Sequence, residues 1–132
     1  MDRASVDLVR VENWGSGGFS QHGNLEKASQ GLSDSSFKIL MSHDPSHFDA
    51  VVKRFSKFFH LTLSGHTHGM QFGIEIPGWV KWSPIKYRYP KWAGHYKDME
   101  RQLYVNRGFG FLAFPAGWAF GRRFAVLTLK KA

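Results

Sequence analysis

Phe37-Lys-Ile-Leu-Met-Ser-His-Asp-Pro45 and, further on, His60-Leu-Thr-Leu-Ser-Gly-His-Thr-His-Gly69 are the two stretches on which the fold turns. Each opens on an apolar run short enough for a buried strand and then delivers histidine. Pro45 stops the first run. Ser46 reads as a helix N-cap, with Asp49 three residues on as its capping partner. Phe48, Val51, Val52, Phe55, Phe58 and Phe59 follow at helical spacing, with Lys53, Arg54 and Lys57 between them, which predicts a core-facing helix. Strand, helix and strand in so short a span form a βαβ unit, whose strands are predicted to lie parallel and adjacent. His43 and the His66/His68 loop would then stand past the carboxyl ends of neighbouring strands, the ligand-binding edge of an open α/β sheet. His-x-His on an extended stretch points both rings to one side, and imidazole is a common metal ligand. Gly65 and Gly69 permit a tight turn around the pair. His22, His47, His60 and His95 stand in no such pattern and read as surface or core histidines.

Residues 6–11 alternate weakly and read as a strand. Residues 14–35 are rich in Gly, Ser and Asn and read as loop, with a short helix over 24–28. Further strands are expected over 72–76, 102–106 and 124–129. Between them, residues 79–92 are heavy in Trp, Tyr, Pro and Lys and read as an ordered surface loop whose aromatics pack back onto the sheet.

The chain has 132 residues, 42% of them hydrophobic, so residues 1–132 are one domain or part of one. It contains no apolar run long enough to span a membrane and no visible signal peptide. Cysteine is absent, which excludes disulfides and thiolate metal sites. The formal charge of +8 suits a polyanionic partner or an anionic membrane surface. It equally suits a protein whose acidic part lies outside this sequence.

The order of these motifs resembles the carboxyl-terminal part of the calcineurin-like metallophosphoesterases, in a bacterial branch. The match continues through Tyr89-Pro-Lys-Trp-Ala-Gly-His-Tyr96 and Leu103-Tyr-Val-Asn-Arg-Gly-Phe-Gly110, and Val11-Glu-Asn-Trp-Gly15 is similar to the strand that precedes them. The resemblance implies an α/β fold: a partial phosphoesterase β-sandwich flanked by helices, with the amino-terminal half missing. It implies hydrolysis of phosphate mono- or diesters by two divalent ions, for which imidazole ligands favour Mn, Fe or Zn. Carried over, His43 and His66 would bind one ion and His68 the other, with Asp44 a loop residue and not a bridge. The family's earlier Asp-x-His, Gly-Asp and Gly-Asn-His motifs have no counterpart, and Gly23-Asn24-Leu25 lacks the histidine. Two close cations need a carboxylate bridge against their repulsion. The chain is therefore expected to be an incomplete piece with little or no activity, whose open sheet edge favours self-association. Related chains often carry membrane-anchoring segments upstream, which leaves the compartment between membrane-associated and cytoplasmic.

Two departures stand out. Residues 115–124 read Pro-Ala-Gly-Trp-Ala-Phe-Gly-Arg-Arg-Phe where related chains read Pro-Gly-Arg-Val-Gly, as a compensated frameshift over 116–123 would produce. Poorer local packing is expected there. Residues 107–114, Arg-Gly-Phe-Gly-Phe-Leu-Ala-Phe, fit the RNA-stacking motif of RRM domains. An RRM needs its partner strand well upstream, and the nearest candidate abuts the motif, so single-stranded RNA is the alternative and not the expected partner.

Overall fold

Burial alternates along Phe37–Met41 (β2): Lys38 and Leu40 are buried, while Phe37, Ile39 and Met41 are half-buried. One face of this strand therefore lies in a core and the other does not. The structure, a computed structural model, describes residues 5–15, 22–68, 73–76, 78–108 and 124–130. In them Val6–Arg10 (β1), Leu25–Ala28 (α1), β2, Ser46–Ala50 (α2), Leu61–Ser64 (β3), Ile74–Ile76 (β4), Val80–Trp82 (β5), Gly94–Asp98 (β6) and Arg101–Val105 (β7) follow in order. A five-stranded sheet runs β1-β2-β3-β7-β6, and β4-β5 form a separate hairpin. β1, β2, β3 and β7 are mutually parallel, as the βαβ reading predicts for β2 and β3, and only β6 runs against its neighbour.

Register places Val9, Leu40, Thr62 and Leu103 in one row across the four parallel strands, and all four are buried. Leu25, Phe48, Val52 and Phe59 cover this face and complete the core. Burial of each phenylalanine contributes about 2–3 kcal/mol. The opposite face has no such cover among the described residues. Leu8 is 62% exposed, and Ile39, Met41, Leu63 and Tyr104 are half-buried. The mixed α/β class is as expected, but the second layer of a sandwich is not formed among the described residues.

The phenylalanine-rich helix is shorter than its spacing predicts. α2 ends at Ala50, a 3-10 turn spans Val52–Arg54, and Phe55 is extended. The buried Arg101 guanidinium takes the carbonyls of Val52 and Phe55, which a continuing helix would need for its own amides. Val51 and Val52 are β-branched and favour the break. Ser46 is not the cap either: Pro45 holds that position, and Asp44 Oδ1 accepts from the Ser46 amide at 2.8 Å.

Residues 79–92 are not all loop. They contain β5 and a 3-10 turn over Pro84–Tyr87. Ile85, Tyr89, Trp92 and Ala93 pack inward as a second cluster, but Trp79 and Tyr87 stay exposed. The strand expected over 124–129 is also absent: residues 124–130 have no ladder partner among the described residues, and Phe124 and Val126 are exposed. Residues 116–123 lie outside the described residues, so the packing expected there is not in view. β6 carries no strong alternation and was not foreseen.

α2, β6 and the loop before β6 are tied by four charges. Lys53 lies 3.0 Å from Asp49 and 3.1 Å from Asp98, and Lys91 bonds Asp49 as well. Burial pushes the Asp49 carboxyl up, but hydrogen bonds from Lys91 and Lys53 outweigh it and hold it below the usual range.

β6 and β7 meet at Met99 and Glu100, both with positive φ (49° and 61°). Two left-handed residues are the mark of a type I′ turn, which favours Asn-Gly. The joint substitution Met99→Asn and Glu100→Gly is expected to stabilise the fold by about 1 kcal/mol. It removes only an exposed Lys97–Glu100 pair, which is worth little. Chemical denaturation checks this; an unchanged or lower midpoint contradicts it.

Candidate metal centre

Parallel pairing brings the ends of β1, β2, β3 and β7 to one rim. The ladder continues past the strands, with Ser42 N bonded to Leu63 O (3.0 Å), Gly65 N to His43 O (3.0 Å) and Asn106 N to Ser64 O (2.8 Å). These bonds fix where the loops leave the sheet. His43 and His66 meet there, with His43 Nε2 3.0 Å from His66 Nδ1 and the rings edge to face at 4.8 Å. The other nitrogen of His66, Nε2, lies 3.0 Å from the Tyr89 hydroxyl. Burial, followed by the neighbouring His43, lowers the His66 pKa and favours the neutral ring that can act as a ligand.

The His-Thr-His segment is not extended, contrary to expectation. His66 and His68 both have positive φ (66° and 46°), and the Thr67 amide bonds back to Gly65 O at 2.7 Å. The rings are therefore aimed by a kinked loop and not by strand alternation. Left-handed backbone costs a residue with a Cβ about 1–2 kcal/mol. Here Thr67, buried, anchors the loop through its hydroxyl to Trp92 O at 2.8 Å. Gly65 is not one of the left-handed residues, and Gly69 lies outside the described residues. His68 packs near Gly108, where an added Cβ would sit 3.9 Å from its Cε1. Its Nδ1 is buried without a hydrogen-bond partner among the described residues.

The fit to a metal is partial. Two nitrogens 3.0 Å apart suit adjacent corners of one coordination shell with bonds of about 2.1 Å. Yet among the described residues no group of three or more His, Cys, Asp or Glu side chains is arranged to hold an ion. The structure thus joins His43 with His66, and His68 does not complete a three-ligand group with them. Asp44 is buried and, just before α2, accepts from the Ser46 amide, in keeping with a loop role.

An open groove of about 700 Å³ runs beside His43, lined in part by Arg10, Asn13, Met41 and Leu63. Asn13 Oδ1 is buried there without a hydrogen-bond partner. Asn13 and Tyr89 were not singled out from the sequence. Both lie in motifs that carry the resemblance, but nothing in their local spacing marks them. Arg107, the first residue of the RNA-like motif, is buried, bonded to Glu75 at 2.9 Å and 5.9 Å over the Trp92 ring. Its guanidinium therefore serves the fold. Residues 109–114 lie outside the described residues.

No family model matches the chain, and no solved structure matches it. Among curated proteins, the chain is 31% identical over 129 residues to the uncharacterized metallophosphoesterase YkuE of Bacillus subtilis (strain 168). The alignment covers 98% of this chain and 42% of that protein.

His47 lies beneath the His43 loop and is a core histidine, as read. It is fully buried, its Nδ1 is 2.8 Å from Ser42 Oγ, and Trp14 stacks on it at 4.7 Å. Burial lowers its pKa to about 4, against a smaller opposing effect of Asp44. The unfolded chain then binds a proton that the folded chain refuses between about pH 6.5 and 4. Stability is expected to fall by about 3 kcal/mol as pH drops through that window. His47→Gln should flatten this part of a pH series of denaturation midpoints. An equal slope in both proteins would show that His47 is not its source.

Proposed function

We propose, from the 31% identity to a metallophosphoesterase over nearly the whole of this chain, that the chain is a part of a metallophosphoesterase and supplies the imidazole-bearing part of a divalent-metal centre that hydrolyses phosphate mono- or diesters. The meeting of His43 and His66 at 3.0 Å, on the rim where parallel strands end, carries this reading. In the intact site His43 and His66 would hold one ion and His68 the second, with Mn, Fe or Zn suited to these ligands. Such ions, when bound, supply an activated water and neutralise phosphoryl oxygens. The remaining roles belong to this chain. Tyr89 fixes the His66 ring through its second nitrogen, as outer partners of ligating histidines do. Thr67 holds the kinked loop to Trp92. Arg10 and Asn13 line the groove through which a phosphate ester would approach His43.

The chain spans 42% of the relative's length, so the whole protein's chemistry is proposed here as a joint property of this chain and a further part. The uncovered face of the sheet supports that view, because Leu8, Ile39, Met41 and Leu63 await a second layer. That layer would complete the sandwich and bring the acidic bridge that no described residue provides. Among the described residues the geometry does not favour RNA binding, since Arg107 is committed to Glu75.

The test is hydrolysis of bis(p-nitrophenyl) phosphate with added Mn2+. The chain alone is expected to give no turnover. Joined to the part of YkuE outside the alignment, it is expected to give turnover that His66→Ala lowers by about 100-fold or more and Tyr89→Phe by about 10-fold. Turnover by the chain alone would refute its incompleteness. A folded, active fusion indifferent to His43→Ala and His66→Ala would refute the site.

A further inference from the structure

The β4–β5 hairpin is packed inside out. Register pairs Ile74 with Trp82, Ile76 with Val80, and Glu75 with Lys81, so the four apolar residues share one face and the two charged ones the other. The charged face is the one that docks. Glu75 bonds Arg107 at 2.9 Å, and Lys81 reaches Ala93 O at 2.6 Å and lies 5.1 Å over Trp92. The apolar face is open along β4 and at the turn, while Val80 and Trp82 on β5 are half-buried. Ile74 and Ile76 are 55% and 42% exposed, and Trp79 at the turn is 80% exposed. A soluble surface hairpin has the reverse arrangement, with its apolar face on the core.

Its surroundings indicate what would cover it. The 3-10 turn after β5 presents exposed Tyr87 with the Lys86 ammonium 5.2 Å over its ring, followed by exposed Arg88. Exposed Trp and Tyr with an apolar patch and flanking cations are the composition of elements that settle at a lipid–water boundary. Aromatic rings sit at headgroup depth, aliphatic side chains reach the acyl region, and Lys and Arg meet lipid phosphates. The formal +8 of the chain adds long-range attraction to the same surface.

We propose that the Ile74–Trp82 hairpin, with Trp79 at its tip and Lys86 and Arg88 beside it, is a docking surface for anionic lipid bilayers. The hairpin is separate from the uncovered face of the main sheet, and the proposal does not depend on the metal centre. Tyr89, which bonds His66, directly follows this basic segment, so docking would hold the histidine rim near the membrane.

Vesicle flotation of the 132-residue chain tests this, with phosphatidylcholine vesicles made with and without phosphatidylglycerol. Binding is expected to be about tenfold tighter to the anionic vesicles, and to weaken as salt rises. Trp79→Ser, at an exposed position that folding does not need, is expected to weaken binding about fivefold or more. Lys86→Glu with Arg88→Glu should remove the preference for phosphatidylglycerol. Acyl-brominated lipid should quench tryptophan fluorescence, with the quench reduced in Trp79→Phe to what Trp82 on the same face contributes. Leu8→Ser, on the bare sheet face, should leave binding unchanged. Equal binding to both vesicle types, no binding, or binding lost in Leu8→Ser and kept in Trp79→Ser would each overturn the proposal. So would a Trp79-dependent self-association or RNA complex without vesicle binding.

Discussion

The parallel hydrogen-bond ladder through β1, β2, β3 and β7 is the constraint on which the rest depends. Parallel pairing sends all four chain exits to one edge, and the ladder does not stop at the last strand residue. Gly65 bonding back to His43 holds the two histidine loops together before any side chain is considered. Tyr89 and Thr67 then refine what the backbone has brought close. A shift in the β2–β3 register, here Leu40 against Thr62, would part the rings and turn every side chain of one strand to the wrong face.

Much of this was legible in the residues. Phe37–Met41 was readable because a short apolar run before Ser-His-Asp-Pro has few other fates. The crossover to β3 followed from the span between the two runs. His43 and His66 could be expected together because both follow parallel strands. Less visible were features set by distant partners. Arg101 lies far along the chain from Val52 and Phe55, yet its bonds to their carbonyls help end the helix early. Neither local propensity nor spacing carries that information. The left-handed His66 and His68 were hidden too, because a kink anchored by Trp92 overrides the glycine that flanks them. Residues 124–130 show the reverse failure: a strand-like composition that forms no strand ladder among the described residues.

The two faces of the main sheet tell different stories about burial. One is closed by short helical pieces and aromatic side chains, with Leu40, Phe48 and Leu103 out of reach of water. The other leaves aliphatic side chains half open. Even the closed face carries a charge, since Lys38 is buried with its ammonium on Ser36 O at 3.2 Å. One hydrogen bond is a thin offset for removing an ammonium from water. The fold is thus closed most tightly around Leu40 and Leu103.

The cluster of Asp49, Asp98, Lys53 and Lys91 has a consequence for the chain in solution. Two carboxylates are neutralised there, and Asp34, Glu75 and Glu100 likewise face a Lys or Arg. With half of the ten acids already matched in this way, the excess cations spread over the remaining surface with fewer carboxylates to offset them. Copies that could meet through their open aliphatic faces must first overcome mutual repulsion. Colloidal behaviour then hinges on small counter-ions: dilute buffer keeps molecules apart, and added electrolyte lets the sticky sides find each other.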